Sequence, residues 1–494
     1  MNYYITTSIP YVNGEPHVGH ALEFITADVL ARSARQQGKP VIFSTGTDEH
    51  GSKMFQTAAK LNISVEDLAA QMSQRFKDLL KELNISNDRF VRTTDAAHEQ
   101  RAQIIWKNLS KDIYKATYSG LYDVKQEEFV PESKADKARM DPNHPQAYQR
   151  LEEENYFFRL SKYTDQVREA IESGAFEIVP KTRKHEILSV LREGLDDISI
   201  SRPKEKLDWG IPVPDDPNHV MYVWFEALMN YITVLGYPEN ADFAKFWPAN
   251  VQVIGKDIIR FHAAIWPAML LSLGLEIPKQ LYVHGFMTIN GEKMSKSIGN
   301  VLSPSIPLEK FGTDPFRYYI LRHIPSYEDG DFSMEKLETV YNTELANELG
   351  NAVQRTLAMV QKYENGLIGE IPLASHDDVP IHEAVRVCKF DRALDLIWEQ
   401  VRGLNQYIDE EKPWEIAKSG DKEHLREVLA YQVGCLIEIA DLLEPFLPDT
   451  AVKIRNIFTS GVIRPITGTL FPKHEPAAKP EGPTVHQVEE GQST

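Results

Sequence analysis

Two short groups of residues stand out for the chemistry they can do. Pro16-His17-Val18-Gly19-His20 sets two histidines three residues apart, beside a glycine that leaves room for close approach. On a helix that spacing puts both rings on one face. A helix N-terminus attracts phosphate through its free N–H groups and its dipole. Asn290-Gly291-Glu292-Lys293-Met294-Ser295-Lys296-Ser297 sets two lysines on a loop of small and polar residues. A mobile pair of cations suits charge that develops on a transferring phosphate. Each group also has an ordinary reading, as two surface histidines and as a solvated basic turn. The string Lys293–Ser297 is the more specific of the two.

The flanking sequence predicts the elements that position these groups. Tyr3–Thr7 is β-branched and aromatic, as strands are. Asn13-Gly14 marks a turn, Pro16 suits the first position of a helix, and Val18, Leu22, Ile25 and Val29 recur at helical spacing. A second strand is predicted over Pro40–Ser44 and a helix over Val65–Leu83. This strand–helix–strand start argues for a parallel α/β sheet. Between Tyr114 and Trp209 the pattern breaks, and Lys125–Glu154 is dense in charge with Pro131, Pro142 and Pro145. That stretch reads as an insertion between two halves of the sheet. Alternation resumes with strands at Met221–Val223, Val251–Ile254 and Leu281–Thr288, and a helix through Trp266 and Leu270. After Phe332 the pattern is helical, with stripes at Leu345, Leu349 and Val353; at Leu394, Ile397, Val401 and Leu404; and at Val428, Cys435, Ile439 and Leu442. These predict a bundle. The Pro-rich end after Lys473 reads as flexible.

The whole chain has 494 residues, 42% of them apolar, enough for sizeable cores and against general disorder. Its net charge of −18 argues against a general nucleic-acid coat, though not against a local basic surface. Cys388 and Cys435 cannot form a disulfide scaffold and fit a reducing compartment. No signal peptide is evident, and Ala263–Leu275, interrupted by Pro267, is too short to span a bilayer. A cytoplasmic location with no membrane association is expected.

His17-Val18-Gly19-His20 and Lys293-Met294-Ser295-Lys296-Ser297 resemble the two signatures of class I aminoacyl-tRNA synthetases. Further strings are similar to the methionyl branch of that family: Ser8–Gly14, Gly46-Thr47-Asp48-Glu49-His50-Gly51, Tyr222–Ala227, Gly255-Lys256-Asp257-Ile258 and His262–Pro267. The resemblance covers roughly residues 2–470. It implies a Rossmann catalytic domain in two halves, 1–113 and 210–275, split by a connective insertion, 114–209. A signature-loop and stem-contact region, 276–340, would follow, then a helical anticodon-binding domain, 341–472, and a flexible tail, 473–494.

The same resemblance implies activation of L-methionine by ATP with Mg2+, then transfer to tRNA(Met), initiator and elongator. His17 and His20 would stabilise the transition state at the phosphates, and Lys293 and Lys296 would close over the pyrophosphate. Gly19, Glu23, Arg202, Gly255 and Asp257 would complete the ATP site, with Asp257 and Glu23 near the ribose. Asp48 would bind the methionine ammonium. Trp224, Tyr231 and Trp266 would form aromatic walls, which suit a thioether. Tyr11 and His262 would offer the few polar contacts, and Ile9, Leu228 and Ile265 the apolar lining. Asn347, Asn351, Arg355, Pro413 and Trp414 match positions where the family reads the anticodon, by side-chain amides and by stacking. Trp414 also reads as a hydrophobic helix cap, and Trp224 and Trp266 as core.

Many relatives carry zinc-binding Cys-x-x-Cys knuckles in the insertion. Here no cysteine falls between Tyr114 and Trp209, so no structural zinc is expected. Packing of Tyr122, Phe129, Tyr156 and Phe157 would hold the insertion instead. The C-terminal dimerisation domain of some relatives is not matched either, which predicts a monomer. Two other readings were weighed. A synthetase for another apolar amino acid would need a long editing domain that does not fit in 114–209. A non-catalytic RNA-binding paralogue would be expected to have lost a signature histidine or lysine, and all four are present.

Overall fold

The computed structural model of the chain describes residues 2–123, 128–130, 148–294, 301–372, 378–459, 462–464 and 468–474. Strands β1 (Tyr3–Thr7), β2 (Val41–Thr47) and β3 (Arg89–Arg92) pair in parallel. Within the insertion, β4 (Ile113–Asp123), β5 (Glu128–Val130), β6 (Tyr148–Phe158) and, later, β8 (Ile198–Ser199) form a separate antiparallel sheet. Between them, β7 (Glu177–Val179) joins the main sheet. Strands β9 (Ser201–Pro203), β10 (Pro212–Val213) and β11 (Asp216–Met221) form a small antiparallel sheet. Then β12 (Val251–Gly255) and β13 (Gln280–His284) return to the main sheet. Finally β14 (Met287–Ile289), β15 (Glu292–Lys293) and β16 (Gly330–Phe332) make a third small sheet.

The main sheet runs β3-β2-β1-β12-β13-β7. Chain order reverses between β1 and β12, and such a reversal opens a ligand crevice at the C-terminal ends of the strands. Successive residues of a strand point to opposite faces, and the sheet uses this to separate two cores. Leu281 and Val283 pack into one, with Trp106, Phe225, Tyr231 and Trp266. Tyr282 packs into the other, with the first helix and the bundle.

The sequence reading needs four corrections here. Met221–Val223 is not a strand of the main sheet: β11 ends at Met221, and Val223 opens the helix Val223–Ala227. The predicted strand Leu281–Thr288 is two strands, because Gly285 lies so close to Glu328 that a Cβ would meet its carbonyl oxygen at 2.3 Å. The insertion also supplies an edge strand of the main sheet, β7, which the sequence reading did not include. Three residues are too few for periodicity to reveal. The first helix begins at Val18, not Pro16, with His17 as its cap.

The insertion is held by the long β4–β6 pairing, from Ile113 opposite Phe158 to Asp123 opposite Tyr148. Aromatic side chains reinforce it. Tyr114 stacks on Phe157 at 5.7 Å, and Tyr156 meets Trp106 edge-on at 5.6 Å while its hydroxyl donates to Asp216 at 3.0 Å. Tyr122 lies 5.5 Å from the Arg202 guanidinium. The side chain of Phe129 lies outside the described residues. Among the described residues no three His, Cys, Asp or Glu side chains are grouped to hold a metal, and no helix is long and apolar enough to cross a membrane.

In the bundle the predicted stripes are buried, except that Leu443 rather than Leu442 faces the core. Cys388 and Cys435 are buried free thiols. The chain after the last long helix does not leave the surface at 473. His474 packs its ring against Phe311 and Tyr341, and exchanges two backbone hydrogen bonds with the Asn342 side chain. Residues 475–494 lie outside the described residues.

One ion pair joins these parts. Asp28, in the middle of the first helix, meets Arg317 at 2.8 Å, and neither side chain is exposed. Burial alone would raise the Asp28 carboxyl, but Arg317 and Arg32 outweigh it and hold it below the ordinary carboxylate range. A group with a depressed pKa stabilises above its unfolded value, and that contribution is lost as pH falls through the folded value. Arg317→Met should therefore lower stability by about 3–5 kcal/mol at neutral pH, because it removes the fully buried partner of Asp28 and leaves Arg32 to balance the carboxylate from the helix side. Urea unfolding of both proteins checks this, and the gap between them should narrow in acid.

Candidate active site

The first helix (Val18–Gln36) leaves β1 through a loop and is capped by the two histidines themselves. The Gly19 N–H donates to Nδ1 of His17 at 3.1 Å, and the His17 N–H donates to Nδ1 of His20 at 3.1 Å. The rings stack with centroids 3.8 Å apart. A nitrogen that accepts carries no proton, so both rings keep their proton on Nε2 as a donor. This changes the expected chemistry. The helix N–H groups that were to meet phosphate are occupied, since Val18 N–H also donates to the Leu302 carbonyl at 3.2 Å and His20 N–H to the His17 carbonyl at 2.9 Å. The imidazoles take their place as donors at the positive end of the helix.

The second signature is brought to the same point. A Cβ on Gly19 would stand 3.0 Å from the His17 ring and 3.4 Å from the Met294 methyl. The loop therefore begins beside Gly19, at Met294, and ends on Val18, at Leu302. Its hairpin turn, Asn290-Gly291, has φ of +52° and +82°, as a tight turn between twisted strands requires. Asp331 pins this turn, accepting from the Gly291 N–H at 2.6 Å and the Thr288 hydroxyl at 2.7 Å. Lys293 is placed on β15 by its backbone. Lys296 lies outside the described residues, as does the side chain of Lys293.

At the C-terminal ends of β12 and β13 sit Gly255 and His284. A Cβ on Gly255 would meet Asp257 Oδ1 at 3.0 Å, and Asp257 itself is exposed. Glu23 lies nearby but is already engaged. Its Oε1 accepts from the Ser8 N–H at 2.7 Å and the Ser8 hydroxyl at 2.6 Å, and its Oε2 faces His284 Nε2 at 3.1 Å. Nδ1 of His284 faces the Gly285 carbonyl at 2.8 Å. Both ring nitrogens meet acceptors, an arrangement that favours the imidazolium. Burial alone would lower its pKa, but the bond to Glu23 and the charges of Glu23 and Asp257 raise it. Sequence reasoning missed His284; its only signal was a histidine at a strand end before glycine. Arg202 sits on β9, its guanidinium 4.6 Å from the Tyr222 ring and bonded to Ser199 Oγ and the Ser201 carbonyl.

The expected methionine contacts fall into small groups of touching residues. Tyr11 and Asp48 pair as a parallel bridge, with the Asp48 N–H on the Pro10 carbonyl and the Val12 N–H on the Asp48 carbonyl. Tyr231 and His262 are fully buried and 2.6 Å apart. Burial pushes the His262 imidazole down to about 4, so it is neutral at pH 7. Its Nδ1–H donates to the Ile258 carbonyl at 3.0 Å, which leaves Nε2 to accept the Tyr231 hydroxyl. The Tyr231 and Trp266 rings lie 5.7 Å apart. Trp266 is fully buried, and its indole N–H has no acceptor among the described residues. Leu228 and Ile265 are buried beside them, and Ile9 is half-buried. Trp224 stacks flat on Phe261 at 4.1 Å, a second residue the sequence reading missed. Phe261–Ile265 is a π-helical turn, a distortion common at functional sites.

Comparison with known proteins agrees with this arrangement. The family described as tRNA synthetases class I (M) matches residues 3–357. The chain belongs to that family. The methionine–tRNA ligase of Mycobacterium bovis is 42% identical over 97% of this chain and 99% of its own length. That of Thermotoga maritima is 41% identical over 92% of this chain and 75% of its own length. Among solved structures, Mycobacterium tuberculosis methionyl-tRNA synthetase in complex with methionyl-adenylate matches with a TM-score of 0.88 and 39% identity, covering 96% of this chain and 100% of that one.

The family's expected anticodon residues meet in part. Asn347 and Asn351 are exposed on a helix whose first stretch, Tyr341–Gly350, is π-helical. Arg355, one turn on, bonds Asp409 at 2.6 Å and sits 5.9 Å from the Trp414 ring. Pro413 is buried at the start of its helix, and Trp414 is half-buried against the bundle core.

Gly19→Ala should leave the fold intact and slow adenylate formation by about 10²-fold, because the new methyl displaces the His17 ring or Met294. Single-turnover adenylate formation beside a thermal melt checks both halves.

Proposed function

We infer that this chain activates L-methionine with ATP and Mg2+ and transfers it to tRNA(Met). The observation that carries the reading is the convergence of both signatures on one helix end: Met294 beside Gly19, and the Leu302 carbonyl on the Val18 N–H. The methionine carboxylate attacks the α-phosphorus of ATP, and the bond to the bridging oxygen breaks to release pyrophosphate. The terminal ribose hydroxyl of tRNA then attacks the adenylate carbonyl and releases AMP. No side chain is covalently involved, so catalysis is positioning and electrostatics.

The roles proposed for single residues rest on the family's motifs and on the contacts above. His17 and His20 present Nε2–H donors toward the phosphates. Lys293 and Lys296 belong to the loop that closes over the pyrophosphate. Gly255 and Asp257 serve the ribose, with Gly19 leaving room for the nucleotide. Glu23 acts through Ser8, shaping the loop that carries Ile9 and Tyr11. Arg202, held among insertion residues, supports the wall of the site near Tyr222. Asp48 takes the ammonium, and Tyr231, His262, Trp224, Leu228, Ile265 and Trp266 enclose the side chain. Mg2+ would arrive on the ATP phosphates, as it usually does. Asn347, Asn351, Arg355, Pro413 and Trp414 form the anticodon face of a bundle over 341–472. The protein acts as a cytoplasmic monomer, in keeping with two buried free thiols; sedimentation at assay concentration checks the monomer.

Pyrophosphate exchange across amino acids tests the activity. Methionine should support it best, with weak exchange from close analogues, since one methylene in an apolar pocket is worth about 1–3 kcal/mol. Stronger exchange with leucine or isoleucine would overturn the reading. Trp414→Ala should impair tRNA charging by about 5–150-fold, from about 1–3 kcal/mol of lost base stacking, while methionine activation stays near parental. Charging of tRNA with normal and altered anticodons checks this. If the mutant discriminates between them as well as the parent does, Trp414 is only a helix cap.

A further inference from the structure

Glu226 is fully buried, and both of its carboxylate oxygens are taken by histidines. Oε1 lies 2.9 Å from Nδ1 of His50, and Oε2 lies 3.0 Å from Nε2 of His98. His98 continues through Nδ1 to the Thr233 hydroxyl at 2.8 Å. All four groups are buried. Burial alone would raise the Glu226 carboxyl, but His50 and His98 outweigh it and hold it below the ordinary carboxylate range. An ionised carboxylate only accepts, so His50 Nδ1 and His98 Nε2 each donate a proton to it. The nearest further acid is Glu99, 4.0 Å from His50 Nε2.

The members come from separate elements, and three of them stand beside the methionine pocket. His50 is two residues after Asp48 in the connection that follows β2. Glu226 is two residues after Trp224 on the helix Val223–Ala227. Thr233 is two residues after Tyr231 on the helix Asn230–Thr233. His98 lies on the helix Ala96–Asn108 and ties the three together. The residues next to His50 are equally constrained. Glu49 is buried and bonded twice by Arg92 at 2.8 Å, and its carbonyl accepts the Trp209 indole N–H at 2.5 Å.

We propose that Glu226, through His50 and His98, is a positioning residue for methionine: it locks Asp48, Trp224 and Tyr231 into one geometry. This rests on the reading of those three as methionine contacts. Apolar packing would hold the same elements together at less cost in buried charge. Packed apolar surfaces can slide, however, whereas charge-assisted hydrogen bonds fix both distance and direction. That is what a pocket needs when its carboxylate, aromatic wall and polar pair arrive on three different elements.

The test is a pair of substitutions at His50. In His50→Asn the amide nitrogen stands near the place of Nδ1 and keeps the bond to Glu226. In His50→Leu similar space is filled with no donor. Pyrophosphate exchange should show the methionine KM of His50→Leu raised by about 10-fold, with the ATP KM changed less than about 2-fold, and His50→Asn close to the parent. Glu226→Gln should behave as His50→Leu does; the His50 pair carries the test if that variant does not fold. Equal effects of Leu and Asn at position 50, or methionine and ATP KM values that rise together, would overturn the proposal. Asp48→Asn separates the two layers. If it raises the methionine KM while His50→Leu does not, the proposal alone fails. If it leaves the methionine KM unchanged, the reading of the pocket fails, and the proposal with it.

Discussion

The buried pair of Asp28 and Arg317 is the constraint around which the molecule is arranged. A guanidinium keeps its charge in any protein environment and carries donors in a rigid fork, so a fully buried arginine dictates where its acceptors stand. Arg317 donates to the Asp28 carboxylate, to the Leu83 carbonyl at 3.0 Å, to the Pro445 carbonyl at 3.1 Å and, through Nε, to the Phe446 carbonyl at 2.8 Å. Those acceptors belong to the first helix, to the turn after the helix Val65–Glu82, and to the turn after the long bundle helix Lys422–Leu443. One side chain therefore fixes the catalytic helix against the far end of the bundle, at Pro445 and Phe446. The histidine cap lies about three turns up that same helix from Asp28. Its direction in the crevice is set from behind.

With the helix fixed, its exposed end can be specialised. Most helices end on a serine, threonine or aspartate, whose oxygen satisfies one backbone N–H. Here two histidines cap instead, and the same bonds decide the protonation of the rings. The backbone groups are satisfied internally, while each ring keeps its proton on Nε2. A donor on a side chain held at both ends reaches further into the crevice than a backbone N–H. It also costs no reorganisation when charge appears on a phosphate. Gly19 makes this possible sterically, because the ring of His17 occupies the place a Cβ would need.

How much of this the sequence held depends on the range of the interactions. The strand–helix–strand start, the bundle stripes and the histidine signature are local patterns, and all reappear in the structure. The strings that carry the expected methionine contacts are local patterns too. What did not show were contacts between distant segments. Glu23 is one turn from His20 and reads as a ribose ligand until Ser8 and His284 are seen to occupy its carboxylate. His284 is one histidine at the end of a buried strand and means little until its two acceptors are known. β7 is three residues long and gains its identity only from β13 beside it. Phe261 carries no motif of its own, and its partner Trp224 is far away in sequence.

The insertion and the methionine pocket show the same economy of polar groups. The insertion has no cysteine ligands, yet β4 and β6 keep register over their whole length, because alternate aromatic side chains stack along the hairpin and Tyr156 anchors it to Asp216. A metal would fix such a hairpin at one point; a ladder fixes it along a line. Tyr231 and His262 spend their donors on buried partners, the hydroxyl on Nε2 and the Nδ1–H on the Ile258 carbonyl. The wall they form is polar in composition but has little donor capacity left to offer. A thioether, polarizable and a weak acceptor, loses little beside that pair, while the nearby Trp266 indole N–H, buried without an acceptor among the described residues, is still a donor. Discrimination among apolar side chains by shape is worth about 1–3 kcal/mol per methylene.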